Sequence, residues 1–230
     1  MRPSIMICIP TTGNISKYLN KWLLYIAATQ SKKYRISVAI NTAKPVISNR
    51  NHLTHIFLSS DYDYSFWCDD DIIPPYNILD LVNFNVPVVG GICFVSKGKN
   101  LVHLALERVA EKKYKPLHPT KFRTPLTEVD ATGSGAIFIH RTIFEQLDAP
   151  WWEDNSDEFG VRDHGHDFNL CMKIRDIGQK IYVAPNVACS HITNINLLTM
   201  KDLLITLEKQ VGKINIGNPD LIDPHKGIAL

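Results

Sequence analysis

The chain has 230 residues, of which 45% are hydrophobic and 21% are charged, as is typical of a globular protein that buries a sizeable core. Lysine and arginine together number 25 and aspartate and glutamate 23, which gives a net charge of +2. This balance argues against binding to nucleic acid through bulk charge, and it excludes an acidic disordered chain.

Strands and helices alternate in the first part of the chain. Apolar residues at helical spacing predict helices that begin near residues 15, 47 and 74. Short apolar runs predict strands at residues 5–9, 35–40, 64–68 and 86–95. This order predicts an α/β fold, a single Rossmann-like domain whose mostly parallel central sheet is flanked by helices.

The later part of the chain is less regular. Residues 96–127 are rich in lysine and weakly patterned, and we expect a peripheral hairpin or loop there. The remaining predicted elements are a strand at 136–139, a short helix at 142–147, a long loop at 151–165, a helix at 167–177, strands at 181–184 and 187–190, and a helix at 198–210.

The cysteines and the hydropathy bear on the compartment. The five cysteines include no Cys-x-x-Cys pair, so we expect free thiols in a reducing compartment rather than disulfides or a zinc finger. No stretch reaches about 18 uninterrupted apolar residues, and the short run at residues 5–9 lacks a signal-peptide cleavage site. We therefore expect a soluble, cytoplasmic protein without a transmembrane segment.

Three adjacent aspartates, Asp69, Asp70 and Asp71, directly follow the predicted strand at 64–68. Ligands of parallel sheets bind at the carboxyl ends of the strands, and adjacent carboxylates repel one another unless a cation lies between them. In an extended chain Asp69 and Asp71 point the same way and can face one Mg²⁺ or Mn²⁺ ion. The alternative is a solvated turn before the next helix.

Two charged residues stand near predicted helix starts. Arg50 lies on an otherwise apolar helix face. Its guanidinium either binds a phosphate or a base, or it extends along the apolar surface so that the charge reaches water. Asp167 opens the helix at 167–177 directly after His166, and it is either a general base or an ordinary capping carboxylate.

Three further features have both a structural and a functional interpretation. Trp151 and Trp152 belong either to the core or, as their polar loop favours, to an exposed flat platform for a sugar ring. Gly133 and Gly135 form a bulge or turn, or they let the backbone approach a ligand. His191 follows a strand as an imidazole ligand candidate, although spacing alone does not connect it to the aspartates.

Taken in chain order, these segments resemble those of the GT-A glycosyltransferases, nearest to the family 2-like nucleotide-sugar enzymes. The resemblance extends over residues 5–191, and an ordered series of segments carries it rather than any single motif. The family commonly has a glutamate where this chain has His166, which leaves the role of that position open. The segments are Ile9-Pro10-Thr11, Ser48-Asn49-Arg50-Asn51, the run from Phe66 to Pro74 around the Asp-x-Asp, the run from Val129 to Ala136, the run from Gly165 to Cys171, and His191.

The resemblance implies a metal-dependent enzyme that moves a sugar from a nucleoside-diphosphate sugar, most commonly a UDP- or GDP-sugar, to the hydroxyl of a glycan or other acceptor. It implies one GT-A domain over residues 1–212, with a nucleotide-binding half at 1–95 and an acceptor half at 96–212, and a tail at 213–230. It implies that Asp167 is the general base of an inverting transfer and that Asp69, Asp71 and His191 hold Mn²⁺ or Mg²⁺. It implies that the acceptor contacts Trp151, Trp152 and His166. The residues that it implies for donor binding are Pro10, Thr11, Thr12, Arg50, Asp69, Asp70, Gly133 and Gly135.

Competing functions remain open from the sequence. A sugar-nucleotide pyrophosphorylase usually carries a glycine-rich, basic loop after its first strand, and residues 10–14 here contain one glycine and no cation. A phosphatase with an aspartate nucleophile needs acids after the first strand, and none are present. A retaining GT-A transferase and a non-catalytic nucleotide-sugar-binding module also remain open, and His166 is the one sequence feature that favours the binding module.

Overall fold

The computed structural model describes residues 2–42, 44–97, 100–111, 113–156, 162–192 and 197–198. The predicted helix at 198–210 and the tail at 213–230 lie outside these residues, except for Leu198, which belongs to a strand. Among the described residues, no helix has the length and apolar character needed to cross a membrane.

Within the described residues, four α-helices and a 3₁₀ helix follow apolar stripes in the sequence. The Ser16 hydroxyl accepts a hydrogen bond from the Leu19 amide and so caps the first of them. The helices are α1 (Lys17–Gln30), α2 (Val46–Leu58), a 3₁₀ helix (Ile78–Phe84), α3 (Arg141–Gln146) and α4 (His166–Asp176), and a single 3₁₀ turn covers Pro119–Lys121.

The strands are short, apart from three of seven or eight residues. In chain order they are β1 (Ser4–Pro10), β2 (Arg35–Asn41), β3 (Tyr64–Cys68), β4 (Ile72–Ile73), β5 (Val88–Ile92), β6 (Phe94–Lys97), β7 (Asn100–His103), β8 (Ala105–Ala110), β9 (Lys113–Pro116), β10 (Thr127–Val129), β11 (Ala131–Thr132), β12 (Ala136–His140), β13 (Asn155–Ser156), β14 (Arg162–His164), β15 (Ile181–Ala188), β16 (Ser190–Ile192) and β17 (Leu197–Leu198).

A seven-stranded sheet in the order β10-β15-β5-β12-β3-β1-β2 forms the centre of the molecule. Strands β2, β1, β3, β5 and β15 run in one direction, because β12 pairs antiparallel with both β3 and β5. Only β12 and β10 run the other way. The predicted α/β class, a mostly parallel central sheet flanked by helices, is therefore confirmed.

Each face of this sheet buries its own hydrophobic core. In β1 the side chains alternate, so Ile5, Ile7 and Ile9 pack beneath α1 and the 3₁₀ helix, while Met6 and Cys8 pack beneath α2, α3 and α4. A strand buried on both faces reads as a continuous apolar run, which is why β1 and β3 could be predicted from the sequence.

Several predicted elements differ in detail. Residues 96–127, expected as a peripheral hairpin or loop, contribute most of the β6–β7 hairpin and the paired strands β8 and β9, to which β11 adds as a third strand. The helix expected from Pro74 is the 3₁₀ helix that begins at Ile78. The two strands predicted around Pro185 are the single strand β15, whose register with β5 shifts between Ala184 and Ala188, because a proline inside a strand favours an irregularity in the pairing.

Candidate functional site

A cleft of about 190 Å³ opens where β1 and β3, two neighbouring parallel strands, end. This is the edge at which sheets of this kind bind ligands. The loops after both strands, the first turns of α2 and the start of α4 supply its walls. The lining residues are Pro10, Thr11, Thr12, Val46, Asn49, Arg50, Asp69, Asp70, Asp71 and His166.

The three aspartates form a tight turn between β3 and β4. The Ile72 amide donates a hydrogen bond to the Asp69 carbonyl over 3.0 Å, so the segment is not extended. The expectation that Asp69 and Asp71 share one direction with Asp70 opposed is therefore wrong. Instead, each carboxylate reaches a different partner, and these partners lie on three separate parts of the fold.

Asp69 pairs with a buried arginine. The Arg50 guanidinium, 1% exposed, donates from Nη2 to Asp69 Oδ1, and its plane lies over the Trp152 ring with its carbon 4.7 Å from the ring centroid. Burial raises the pKa of the Asp69 carboxyl, and neighbouring aspartates raise it further, while Arg50 opposes the shift. Arg50 thus lies at the floor of the cleft, beside the acidic turn.

Asp70 is fixed to the end of β1. Its Oδ2 accepts a hydrogen bond from the Thr11 hydroxyl over 2.5 Å, and the Thr11 oxygen in turn accepts from the Gly13 amide. Gly13 has φ +146, a conformation that side-chain-bearing residues rarely adopt. The loop after β1 and the acidic turn are therefore tied together by side-chain contacts.

Asp71 faces His191 across 120 residues of sequence, with Oδ2 and Nε2 3.1 Å apart. Strand pairing creates this contact, because β16 pairs antiparallel with β4 and the Ile192 amide donates to the Asp71 carbonyl over 2.8 Å. On the other side of the ring, Nδ1 donates to the Phe94 carbonyl over 2.6 Å. The hydrogen bond to Asp71 raises the pKa of His191, against the opposing effect of burial.

Asp71 and His191 can supply a carboxylate and an imidazole to a divalent metal ion. The Phe94 carbonyl fixes Nδ1 as a protonated nitrogen, so Nε2 faces the Asp71 carboxylate. Nε2 donates to Asp71 when the ring is protonated, and in the neutral ring its lone pair is available to a metal ion, as in metal-bound histidines oriented by an outer partner. The described residues contain no group of three or more histidine, cysteine or acidic side chains placed to hold a metal. Two protein ligands suffice for a Mg²⁺ or Mn²⁺ ion that also binds substrate phosphates.

On the opposite wall, the start of α4 places His166 and Asp167 in the first helical turn, one residue earlier than predicted. His166 lines the cleft, with Nδ1 3.7 Å from an Asp154 oxygen. Asp167 is close enough to raise the pKa of Asp69 by charge repulsion. Asp167 directly follows the cleft-lining His166 but is not itself among the lining residues, and it occupies the position where a helix favours a carboxylate.

The tryptophan pair is buried, so the expectation of an exposed sugar platform is wrong. Trp152 is 0% and Trp151 6% exposed. The Trp151 indole donates to the Phe144 and Leu147 carbonyls, and the Trp152 indole donates to the Thr54 hydroxyl. These aromatic side chains belong to the core beneath α2, α3 and α4 despite the polar loop that surrounds them in sequence.

The two glycines near β12 lie in different surroundings. A Cβ on Gly135 would meet Asp69 Oδ2 at 3.2 Å, and the Gly135 carbonyl accepts from the Asp69 amide. A Cβ on Gly133 would meet a Leu104 methyl at 2.5 Å, so its lack of a side chain serves packing. Gly135 thus borders the acidic turn, whereas Gly133 contacts the β7–β8 connection.

Sequence reasoning missed several residues that build the site. Asn49 lines the cleft and its amide nitrogen donates to the Thr11 and Asn41 carbonyls, tying α2 to the ends of β1 and β2. Its position beside Arg50 on the buried face of α2 is a signal that could have identified it, because a buried asparagine needs partners. No sequence pattern identifies the Phe94 carbonyl or the Thr54 hydroxyl as part of the site.

No family model and no curated protein matches this sequence. Among solved structures, "A197 from STIV" has a TM-score of 0.57 at 18% identity, over 84% of this chain and 87% of that chain. This similarity shows a shared fold.

Two other solved structures match with TM-scores below 0.5, which is too low to carry an argument. The inositol-1-phosphate CTP transferase from T. maritima has a TM-score of 0.45 at 11% identity, over 93% of this chain and 98% of that one. TarS 1-349 from S. aureus in complex with UDP-GlcNAc has a TM-score of 0.47 at 12% identity, over 91% of this chain and 65% of that one.

Proposed function

We propose that the protein is a transferase that uses a nucleoside-diphosphate sugar and, more specifically, a metal-dependent glycosyltransferase acting on an acceptor hydroxyl. The observation that carries the proposal is the contact between Asp71 and His191, with Nδ1 of the histidine fixed by a carbonyl, at the carboxyl ends of parallel strands. The resemblance of the sequence segments to those of the GT-A glycosyltransferases agrees with it.

Asp71 and His191 are the proposed ligands of Mn²⁺ or Mg²⁺. Bound there, the ion would neutralise the negative charge that builds on a diphosphate as it leaves the sugar. Thr11 and Asn49 hold the β1 loop and α2 against the acidic turn, so the walls that would receive the nucleotide are fixed relative to the aspartates. Asp69, held by Arg50, is the proposed contact for the ribose or the metal.

Asp167 is the proposed general base on the acceptor side. A carboxylate that removes the hydroxyl proton while oxygen attacks the anomeric carbon from the face opposite the leaving diphosphate inverts that carbon. His166, between Trp152 and the cleft, is proposed to contact the acceptor or the donor sugar. Because Trp151 and Trp152 are buried, we do not assign them acceptor contacts.

The test is to incubate the protein with UDP- and GDP-sugars and Mn²⁺ and to identify every product. Release of a nucleoside diphosphate, with hydrolysis or transfer of the sugar, supports the proposal. Formation of a nucleoside triphosphate when pyrophosphate is supplied would instead identify a nucleotidyltransferase. Proton NMR of the product's anomeric configuration then distinguishes an inverting from a retaining enzyme, and binding without turnover indicates a sugar-nucleotide-binding module.

A further inference from the structure

Arg50 is a buried charge whose hydrogen bonding is incomplete. Its Nη2 pairs with Asp69, but Nε and Nη1 are buried without a hydrogen-bond partner among the residues that the structure describes. A buried guanidinium left in this state costs free energy unless another interaction compensates. Two indole rings do so, because the guanidinium carbon lies 4.7 Å from the Trp152 centroid and 5.6 Å from that of Trp67.

Trp152 is itself anchored independently of the cleft. The Asn51 side chain bonds both its amide, over 3.1 Å, and its carbonyl, over 2.7 Å. The indole nitrogen donates to the Thr54 hydroxyl over 3.0 Å. Since Asn51, Thr54 and Arg50 all belong to α2, one helix presents the guanidinium and also fixes the ring that holds it.

The same tryptophan reaches the opposite wall of the cleft. Its ring lies 6.1 Å from the His166 ring in an edge-on arrangement. The next residue, Glu153, accepts a hydrogen bond from the Asn169 side chain and pairs with Lys173 at 2.5 Å, both on α4. Trp152 is therefore packed between the helix that carries Arg50 and the helix that carries Asp167.

We propose that Trp152 is a positioning residue that holds the Arg50 guanidinium against Asp69 and so fixes the acidic turn for binding of a metal–nucleotide complex. The ligand named here rests on the proposed function, whereas the positioning of Arg50 by Trp152 does not depend on it. Without the ring face, Arg50 gains room to turn toward water, and Asp69 loses the partner that sets its direction.

The decisive comparison is Trp152→Phe against Trp152→Met. Both side chains are large and apolar and both lack the indole N–H, so the aromatic face is the main difference between them. Trp22→Met is the matched control, because Trp22 is 2% exposed and packs on the opposite face of the sheet. Thermal unfolding of all variants records the stability change that a purely structural role would produce.

The first readout needs no ligand. A guanidinium buried against Asp69 is protected from hydrogen exchange with water, and NMR measures this exchange on the Arg50 Nε–H signal, with Arg50→Lys providing the assignment. We expect slow exchange to persist in Trp152→Phe and in Trp22→Met and to become faster in Trp152→Met. An Arg50 exchange rate unchanged in Trp152→Met would overturn the positioning role, whether or not the protein binds any nucleotide.

The second readout is the dissociation constant of UDP or GDP in the presence of Mn²⁺. Loss of the hydrogen-bond partner of a metal ligand costs about 10- to 100-fold in affinity. Asp69, the proposed ribose or metal contact, is no longer held by Arg50 in Trp152→Met, so we expect about a tenfold increase in the dissociation constant. We expect less than about threefold in Trp152→Phe and none in Trp22→Met. Equal losses in the phenylalanine and methionine variants contradict the proposal, whereas failure of the wild-type protein to bind any nucleotide contradicts the proposed function instead.

Should Trp152→Met fail to fold, Asn51→Ala tests the same contact and keeps the indole itself. It removes the two hydrogen bonds that hold the Trp152 backbone to α2. A neutral hydrogen bond contributes about 1 kcal/mol, so we expect nucleotide binding to weaken by about fivefold or more and the Arg50 Nε–H to exchange faster with water. No change in either quantity would overturn the proposal.

Discussion

The acidic turn between β3 and β4 lines the cleft with three aspartates, whereas the start of α4 lines it with His166 and carries Asp167 beside it, and the two regions are held differently. In the turn, Asp69, Asp70 and Asp71 each have a partner of their own from α2, the β1 loop and β16. Asp167 depends on its place in the first turn of α4, and α4 is joined to the rest of the site through Trp152 and Glu153. The proposed donor side is therefore fixed by three separate contacts, to α2, to the β1 loop and to β16, and the proposed acceptor side by packing around one loop.

The largest loss of turnover is expected when Asp71 in the turn, or its partner His191, is replaced. We predict that Asp71→Ala and His191→Ala each lower Mn²⁺-dependent turnover by about 10³-fold, because they remove transition-state charge stabilisation of about 4 kcal/mol. The measurement is the initial rate of nucleoside diphosphate release. His118→Ala, which changes an exposed histidine outside the cleft lining, is the control. Full wild-type activity in excess EDTA would contradict the metal role.

A substitution at the start of α4 is expected to lower sugar transfer without weakening donor binding. We predict that Asp167→Asn lowers sugar transfer by about 10²-fold or more, since a positioned general base contributes about that much, while donor binding stays unchanged. Rates and donor dissociation constants are compared with those of Asp176→Asn, at the other end of the same helix. Equal transfer rates in the two variants would show that Asp167 is not the base.

The smallest effect is expected where the β1 loop meets the turn. Thr11→Val removes the hydroxyl that donates to Asp70 and accepts from Gly13. A hydrogen bond to a charged group contributes about 1.5 kcal/mol at the low end of its range, so we predict about a tenfold increase in the donor KM with little change in kcat, because the turn keeps its other two contacts. Thr29→Val, on the exposed face of α1, is the control. A loss as large as that of His191→Ala would show that the three contacts act as one unit.

The sequence predicted those parts of the molecule that depend on local pattern. The continuous apolar runs of β1 and β3 placed both strands, and the acid triplet after β3 placed the turn. The meeting of Asp71 with His191 was available only through the family resemblance, because it depends on pairing between strands of two and three residues that lie far apart in the chain.

The direction of the side chains was harder to predict than their location. The extended geometry expected for Asp69–Asp71 failed because the Asp69 carbonyl accepts the Ile72 amide and closes a turn. The tryptophan pair was assigned to the surface because its loop is polar in sequence. The structure buries both rings, since α2 supplies the hydrogen-bond partners that Trp152 needs.

Metal-dependent binding of a nucleotide at His191 is the claim on which the proposed function depends. It is tested by calorimetric titration of the wild-type protein and of His191→Ala with UDP and with GDP, each in excess Mn²⁺ and again in EDTA. We predict that one of the two nucleotides binds the wild-type protein with a 1:1 stoichiometry only when Mn²⁺ is present, and that His191→Ala loses this binding. Absence of binding for both nucleotides, or binding that neither EDTA nor the substitution weakens, would contradict it.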